Sequence, residues 1–225
     1  GAQVTVVGDQ VMPRDEPEAV AVIRRVLTRE GVTIIESLVT EVRKSGDEIT
    51  LILKNGQSVS GDLLLVAVGR APNIEALDLD KAGVQYTKQG IPVNDHLQTN
   101  QPHIYAVGDV TTGPKFTHYA GFQGSVAGRN LLLPIGKGKG HEDILPWVTF
   151  TEPEIAHVGL TEAQAREQHG NAVKVYTFPM AHGDRAVTEG DTEGFIKLVY
   201  RGSGELLGAT VVAERAGEMI TEYTL

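Results

Sequence analysis

Apolar positions along the chain change their period twice, and each change marks a different kind of element. Val4-Thr5-Val6-Val7 is a short β-branched run closed by Gly8, the pattern of a buried strand with a sharp exit. Asp15 then serves as an N-cap, with Pro17 in the first turn and Glu18 three residues after the cap. Val20, Ile23 and Leu27 recur at helical spacing, and Gly31 supplies the stop. Val32 to Ile35 reads as the next strand. From Leu38 the period falls to two. Ser45-Gly46 and Asn55-Gly56 are turn signals around the alternating Ile49, Leu51 and Leu53. Leu63 to Val68 is apolar on both faces, as in a strand covered by a layer on each side.

The region from Ile74 to Asp143 is less regular. His103 to Val107 reads as a strand ending at Gly108-Asp109, and Thr117 to Leu133 as a helix of small and apolar residues. Gly121, Gly124 and Gly128 interrupt that helix, which suggests close approach of another backbone or of a ligand. Beyond Leu145, Trp147–Phe150, Val173–Phe178, Phe195–Tyr200 and Leu206–Val212 are strand candidates. Thr161 with Gln164 forms a capping box for a helix over Glu162 to Gln168, and a further helix begins near Ala216. Strands with a lone helix between them indicate an α+β domain with an antiparallel sheet. The expected organisation is therefore 1–73, the rear part of a Rossmann-like α/β unit, then 74–143, a second α/β segment, then 144–225, the α+β domain.

Bulk properties narrow the class. Of 225 residues, 41% are hydrophobic and 22% charged, ordinary values for a globular chain. The net charge of −9 argues against a nucleic-acid surface, which needs clustered Lys and Arg. The longest clean apolar run, Leu63–Val68, is far too short for a bilayer. With no cysteine, the chain has no disulfide framework and no thiolate metal site, and no metal site is expected in it.

Three segments carry candidate chemistry. Gly8-Asp9 ends the first strand, where a Rossmann unit faces the adenosine ribose and an acidic side chain can hold two hydroxyls. Gly69, in Val68-Gly69-Arg70-Ala71-Pro72-Asn73, lets backbone pass close to a flat cofactor. Asp109, in Ile104-Tyr105-Ala106-Val107-Gly108-Asp109, places a carboxylate where ligands bind in open α/β sheets; as a pure acceptor it suits a polyol chain. The helix that follows, with His118 and Ala120 in its first turn, could aim N-terminal amides at an electron-rich atom. Each segment alone also reads as an ordinary strand and turn.

Together, and in this order, these motifs resemble those of the flavoprotein disulfide reductases, the family of dihydrolipoamide dehydrogenase, glutathione reductase and mercuric reductase. Phe150-Thr151-Glu152-Pro153-Glu154, Val158-Gly159, Asp184-Arg185-Ala186, Gly194-Phe195-Ile196-Lys197 and Gly208-Ala209 resemble that family's dimerisation domain, closest to the mercuric reductase and dihydrolipoamide dehydrogenase types. The resemblance implies an enzyme that passes a hydride between NAD(P)H and FAD and then to a disulfide-type or lipoyl acceptor. It implies a cytoplasmic homodimer without membrane or nucleic-acid partners. Asp109 would hold the FAD ribityl chain and Gly108 would let it approach; Phe116, Thr117, His118 and Ala120 would line the flavin. Gly69 would touch the nicotinamide nucleotide and Val39 would sit near its adenine. Gly8 stands where NAD-using relatives often carry Glu, with Asp9 beside it and no arginine for a ribose phosphate, which favours NAD over NADP.

The resemblance further implies that the redox cysteine pair and the Gly-rich loop lie upstream of Gly1, and the catalytic His-Pro segment just past Leu225. The chain by itself would then hold no catalytic residue, and would be inert and poorly stable for want of a central strand. Two other readings are a transhydrogenase-type flavoprotein without the cysteine pair, and a non-enzymatic nucleotide-binding or dimerisation module.

Overall fold

A computed structural model describes residues 1–133, 135–141 and 144–224. In chain order the elements are β1 (Thr5–Gly8), α1 (Pro17–Arg29), β2 (Thr33–Glu36), β3 (Val39–Ser45), β4 (Glu48–Leu53), β5 (Ser58–Gly61) and α2 (Thr117–Leu132). They continue as β6 (Trp147–Thr149), β7 (Glu154–Gly159), α3 (Glu162–His169), β8 (Val173–Pro179), α4 (Asp184–Glu189), β9 (Phe195–Arg201), β10 (Leu206–Ala213) and α5 (Ala216–Met219). The predicted class holds: a parallel β–α–β element opens the chain and an antiparallel sheet closes it. Two compact units form, residues 1–68 with 146–225, and residues 69–145. Asp143, read as the end of the second segment, and Leu225 lie outside the described residues.

In the first unit, β1 pairs with β2 in parallel, and β3–β4–β5 is an antiparallel meander turned at the two Gly signals. A five-stranded antiparallel sheet follows the order β6–β7–β10–β9–β8. The face of α1 defined by Ala19, Val22, Ile23 and Val26 packs on this sheet, against Ile155, Phe195 and Val212. A crossover helix usually covers the sheet it connects; here its apolar stripe closes the antiparallel one. Ala165 of α3 covers Val173 and Val199 in a neighbouring cluster. Ala156, Val158, Ala209, Val211 and Ala213 form another core cluster with Ala216 and Ile220. Strand periodicity of two thus gives the sheet an apolar layer on both sides.

Several local expectations are corrected. The N-cap of α1 is Glu16, not Asp15, and no side chain caps that helix, although Pro17 sits at its first turn as read. Leu63–Val68 forms no strand, and Leu63, Leu65 and Val68 are 88%, 85% and 91% exposed. A strand apolar on both faces needs a ladder partner and two covering layers, and no described residue supplies them. Among the described residues His103–Val107 makes only one bridge, Gln98 to Tyr105, next to Leu97 in a left-handed conformation (φ 67°). Gly121, Gly124 and Gly128 of α2 have no described residue close to where a Cβ would stand.

The four strand candidates beyond Leu145 are all present, and the Thr161–Gln164 capping box forms as read. The periodicity missed β7 and the short α4. In the second unit, Val84, Ile91 and Ala106 form a small core with Ile74, Val93 and Ile104 around irregular backbone.

Candidate functional site

In the second unit, Gly108 opens a single 3₁₀ turn, Gly108–Val110, at φ 70°. Its carbonyl accepts from the Thr111 amide (2.9 Å) and from Thr111 Oγ1 (2.8 Å). Its amide donates to Gln123 Oε1 (2.7 Å). A Cβ on Gly108 would lie 2.9 Å from the Ala120 Cβ, so the turn touches the first turn of α2 and only glycine fits. Asp109 projects from this turn as an exposed residue, and its carboxylate accepts no hydrogen bond from a described residue. Its backbone carbonyl is taken by Lys115 Nζ (2.6 Å), whose own carbonyl accepts from Arg70 (3.3 Å), the residue after Gly69.

The N-cap of α2 is Phe116, which has no side-chain oxygen to offer, and no acid lies in its first turn. The leading amides of the helix therefore keep their positive end uncancelled by side chains of that turn. Phe116 and His118 stack with ring centroids 5.5 Å apart, Thr117 is exposed, and Ala120 is half-buried behind Gly108. The structure thus gathers Gly108, Asp109, Phe116, Thr117, His118 and Ala120 at one corner. The corner fits FAD on its own chemistry: a carboxylate with no partner among the described residues for hydroxyls, a glycine with no space for a side chain, and a helix N-terminus with no acid in its first turn.

The opposite face of α2 is polar where a core face would be apolar. Tyr119 Oη and Gln123 Nε2 both donate to the Gly140 carbonyl (3.1 and 3.2 Å), and Asn130 exchanges hydrogen bonds with Gly138 (2.8 and 2.9 Å). Sequence reading missed Gln123, Asn130, Thr111 and Lys115. A polar residue at helical spacing from the buried Tyr119 and Ala127 is the signal that could have found Gln123.

In the first unit, Gly8 closes β1 opposite Glu36 of β2. The Asp9 carboxylate accepts from the Gln10 amide (3.0 Å), a local turn bond. Glu36, which the sequence reading passed over, is paired with Arg24 and accepts from the Val11 amide (3.4 Å), so it fastens the loop after β1. Val39 begins β3 and is exposed. Gly69 has φ 137° and belongs to the second unit. A cleft of about 490 Å³ beside β1 is lined by Val4, Val6, Ile49, Leu51, Val59 and Leu63, a packing surface rather than a reactive one.

The first unit also carries a polar rung through its five-stranded sheet: Trp147, His157, Thr210, Lys197 and Thr177 stand in register on neighbouring strands. His157 bonds Thr210 Oγ1 (2.7 Å) and the Gly159 carbonyl (3.0 Å); burial holds its imidazole below the ordinary value. Lys197 is 3% exposed, and its three ammonium donors meet Glu16 (3.2 Å), Glu18 (3.0 Å) and Glu162 (2.8 Å). Burial opposes the Lys197 charge, yet the bonds to Glu162 and Glu18 and the charge of Glu16 outweigh it and raise its pKa. Glu189, Asp191 and Glu214 bring their carboxylates within 4.8 Å of one another; the Asp191 hydrogen bond and charge push Glu214 up.

A parallel β–α–β element, a glycine–aspartate turn at a helix N-terminus and a separate antiparallel sheet define a nucleotide-binding α/β protein with an α+β domain. Residues 1–124 match the family described as pyridine nucleotide-disulphide oxidoreductase, and residues 145–225 match the dimerisation domain of the same family. The chain belongs to that family. It is 38% identical to mercuric reductase of Staphylococcus aureus, covering 100% of this chain and 42% of that protein. It is 39% identical to dihydrolipoyl dehydrogenase of Thermus scotoductus, covering 100% of this chain and 50% of that protein. The chain thus spans about half the length of the curated relatives it matches. Among solved structures it is similar to the HOCl-induced flavoprotein disulfide reductase RclA of Escherichia coli. That match has a TM-score of 0.91 and 29% identity, over 100% of this chain and 52% of that one. The resemblance read from the motifs holds. No helix among the described residues is long and apolar enough to cross a membrane.

Proposed function

We propose that the full-length protein is an FAD-dependent oxidoreductase that moves a hydride between a pyridine nucleotide, NADH by preference, and FAD, and on to a disulfide-type acceptor. The observation that carries this reading is the Gly108–Asp109 turn, locked against α2 with its carboxylate outward and without a partner among the described residues. FAD, when bound, supplies the two-electron chemistry. The chain's own residues do the placing. Asp109 accepts hydrogen bonds from hydroxyls of the ribityl chain, Gly108 keeps the approach open, and Phe116 to Ala120 present backbone amides and flat rings to the flavin. Gly8 and Asp9 face the nucleotide ribose at the end of β1, where Asp9 repels a 2′-phosphate; Val39 and Gly69 serve the same nucleotide. The relatives named mercuric reductase and dihydrolipoyl dehydrogenase support an acceptor of the thiol, lipoyl or metal-ion kind. The dimerisation-domain match supports a homodimer built on residues 145–225. A cytoplasmic location accords with use of nicotinamide nucleotides.

The test is flavin retention. The full-length protein should purify yellow, and Asp109→Ala should lose flavin on dialysis, because a charge-assisted acceptor of roughly 1.5–3 kcal/mol is removed. A colourless wild type, or a variant that keeps its flavin, overturns the reading.

A further inference from the structure

Gly108 is constrained from three sides. Its carbonyl is held by Thr111, its α-carbon lies against Ala120, and its amide is held by Gln123. Gln123 is 3% exposed and lies one turn after Ala120 on α2. Its side-chain amide performs two opposite tasks. The carbonyl oxygen accepts from the Gly108 N–H at 2.7 Å, and the nitrogen donates to the Gly140 carbonyl at 3.2 Å. A neutral amide can do both at once, whereas an ionised carboxylate can only accept and an aliphatic side chain does neither. Without Gln123, the buried Gly108 amide loses its partner at the residue before Asp109.

We propose that Gln123 is a positioning residue for flavin binding: from inside α2 it sets the Gly108–Asp109 turn against the helix N-terminus through simultaneous acceptor and donor bonds to Gly108 and Gly140. The inference rests on the FAD reading above. It adds a residue that does not touch the cofactor, and it states the chemical requirement at that position.

That requirement can be tested by making the position titratable. In Gln123→Glu, a protonated carboxyl can accept from Gly108 and donate to Gly140, as the amide does. The ionised carboxylate instead faces the Gly140 carbonyl with no proton to give. Burial favours the protonated form. Among the described residues, the other charged or titratable groups around this corner are Asp109, Lys115, Arg70, His118, Tyr119, Asp95, His96 and His141. All are common to wild type and variant, so the ratio of their affinities at each pH isolates position 123.

The experiment uses the full-length protein, stripped of flavin and titrated with FAD by flavin fluorescence at several pH values, with circular dichroism recorded alongside. Gln123→Leu should bind FAD about 5- to 100-fold more weakly at every pH, the cost of one buried amide left without a partner. Gln123→Glu should match wild type within about threefold in acid and fall toward the Leu variant in alkali, reversibly, with an unchanged dichroism spectrum. Gln123→Leu with wild-type affinity overturns the proposal. So does a Gln123→Glu curve parallel to wild type, or flavin loss that tracks loss of helix signal. Failure of the underlying FAD reading is separately visible, since wild type would then bind no flavin.

Discussion

Replacing Lys197 with methionine should release α1 from the five-stranded sheet. The lysine faces three carboxylates, and their fates differ. Glu18 is 57% exposed and returns to water, so its loss is a surface-pair effect of about 0–1 kcal/mol. Glu162 keeps Arg166 at 2.7 Å. Glu16 is 2% exposed, and among the described residues its carboxylate is left with only the Glu162 backbone amide (2.7 Å) as a hydrogen-bond partner. An uncompensated buried charge of this kind costs about 3–5 kcal/mol, so nearly all of the penalty comes from Glu16. Because Glu16 begins α1, the damage should be local. Hydrogen–deuterium exchange on the full-length holoprotein should show peptides across α1 and β9 opening about 150- to 5,000-fold more often. Peptides of the second unit should be unchanged. Adding Glu16→Gln should restore most of the protection, because the neutral amide needs no counter-charge and can still accept from the Glu162 amide. If the two substitutions are additive, or if Lys197→Met leaves α1 protected, the buried-charge reasoning fails.

Glu193 is held low by hydrogen bonds from Arg25 (2.7 Å) and Arg29 (2.6 Å) on α1, and Glu162 by those from Lys197 and Arg166. These lowered carboxyls stabilise fully above the ordinary carboxylate value of about 4.3 and cease to do so as pH falls through their lowered folded values. Asp15, raised mainly by burial, has the opposite sign and softens the onset. Exchange of α1 should therefore rise in acid, and Arg25→Ala/Arg29→Ala should lower stability at neutral pH while flattening this acid loss; an unchanged acid slope would refute it. His157, lowered by burial, should make the first unit lose stability as pH falls below about 6.5, and His157→Gln should remove that slope in thermal melts. Steady-state rates should favour NADH over NADPH, and Asp9→Asn should narrow the gap; a clear NADPH preference would show that the turn after β1 does not face the ribose.

Four of the five strands of the third region were legible because strand composition and turn residues are local properties, whereas their order in the sheet was not. Phe195 to Tyr200 is β-branched, aromatic or aliphatic at every position but Lys197, and the Thr161 capping box needs only a spacing of three. What failed depended on partners distant in sequence. Leu63 to Val68 reads as buried because it is apolar, but burial is supplied by other layers. Lys197 sits in an alternating strand where a charge suggests an outward face; its inward direction depends on Glu16, Glu18 and Glu162, which are far away in the chain. At the candidate flavin corner, the Gly-Asp dipeptide and the helix start were visible as motifs. Gln123 was not, since its significance lies in two backbone groups, at Gly108 and Gly140, that no helical spacing relates.

The docking of α1 on the antiparallel sheet sets an order of events during synthesis. The helix leaves the ribosome well before Ile155, Phe195 and Val212, which bury its apolar face. A thirteen-residue helix is marginal in water without such a surface. Until those residues are made, Ala19, Val22, Ile23 and Val26 must wait exposed or in borrowed cover. Contacts spanning this much chain are slow to close, and the waiting segment is a natural client for a chaperone.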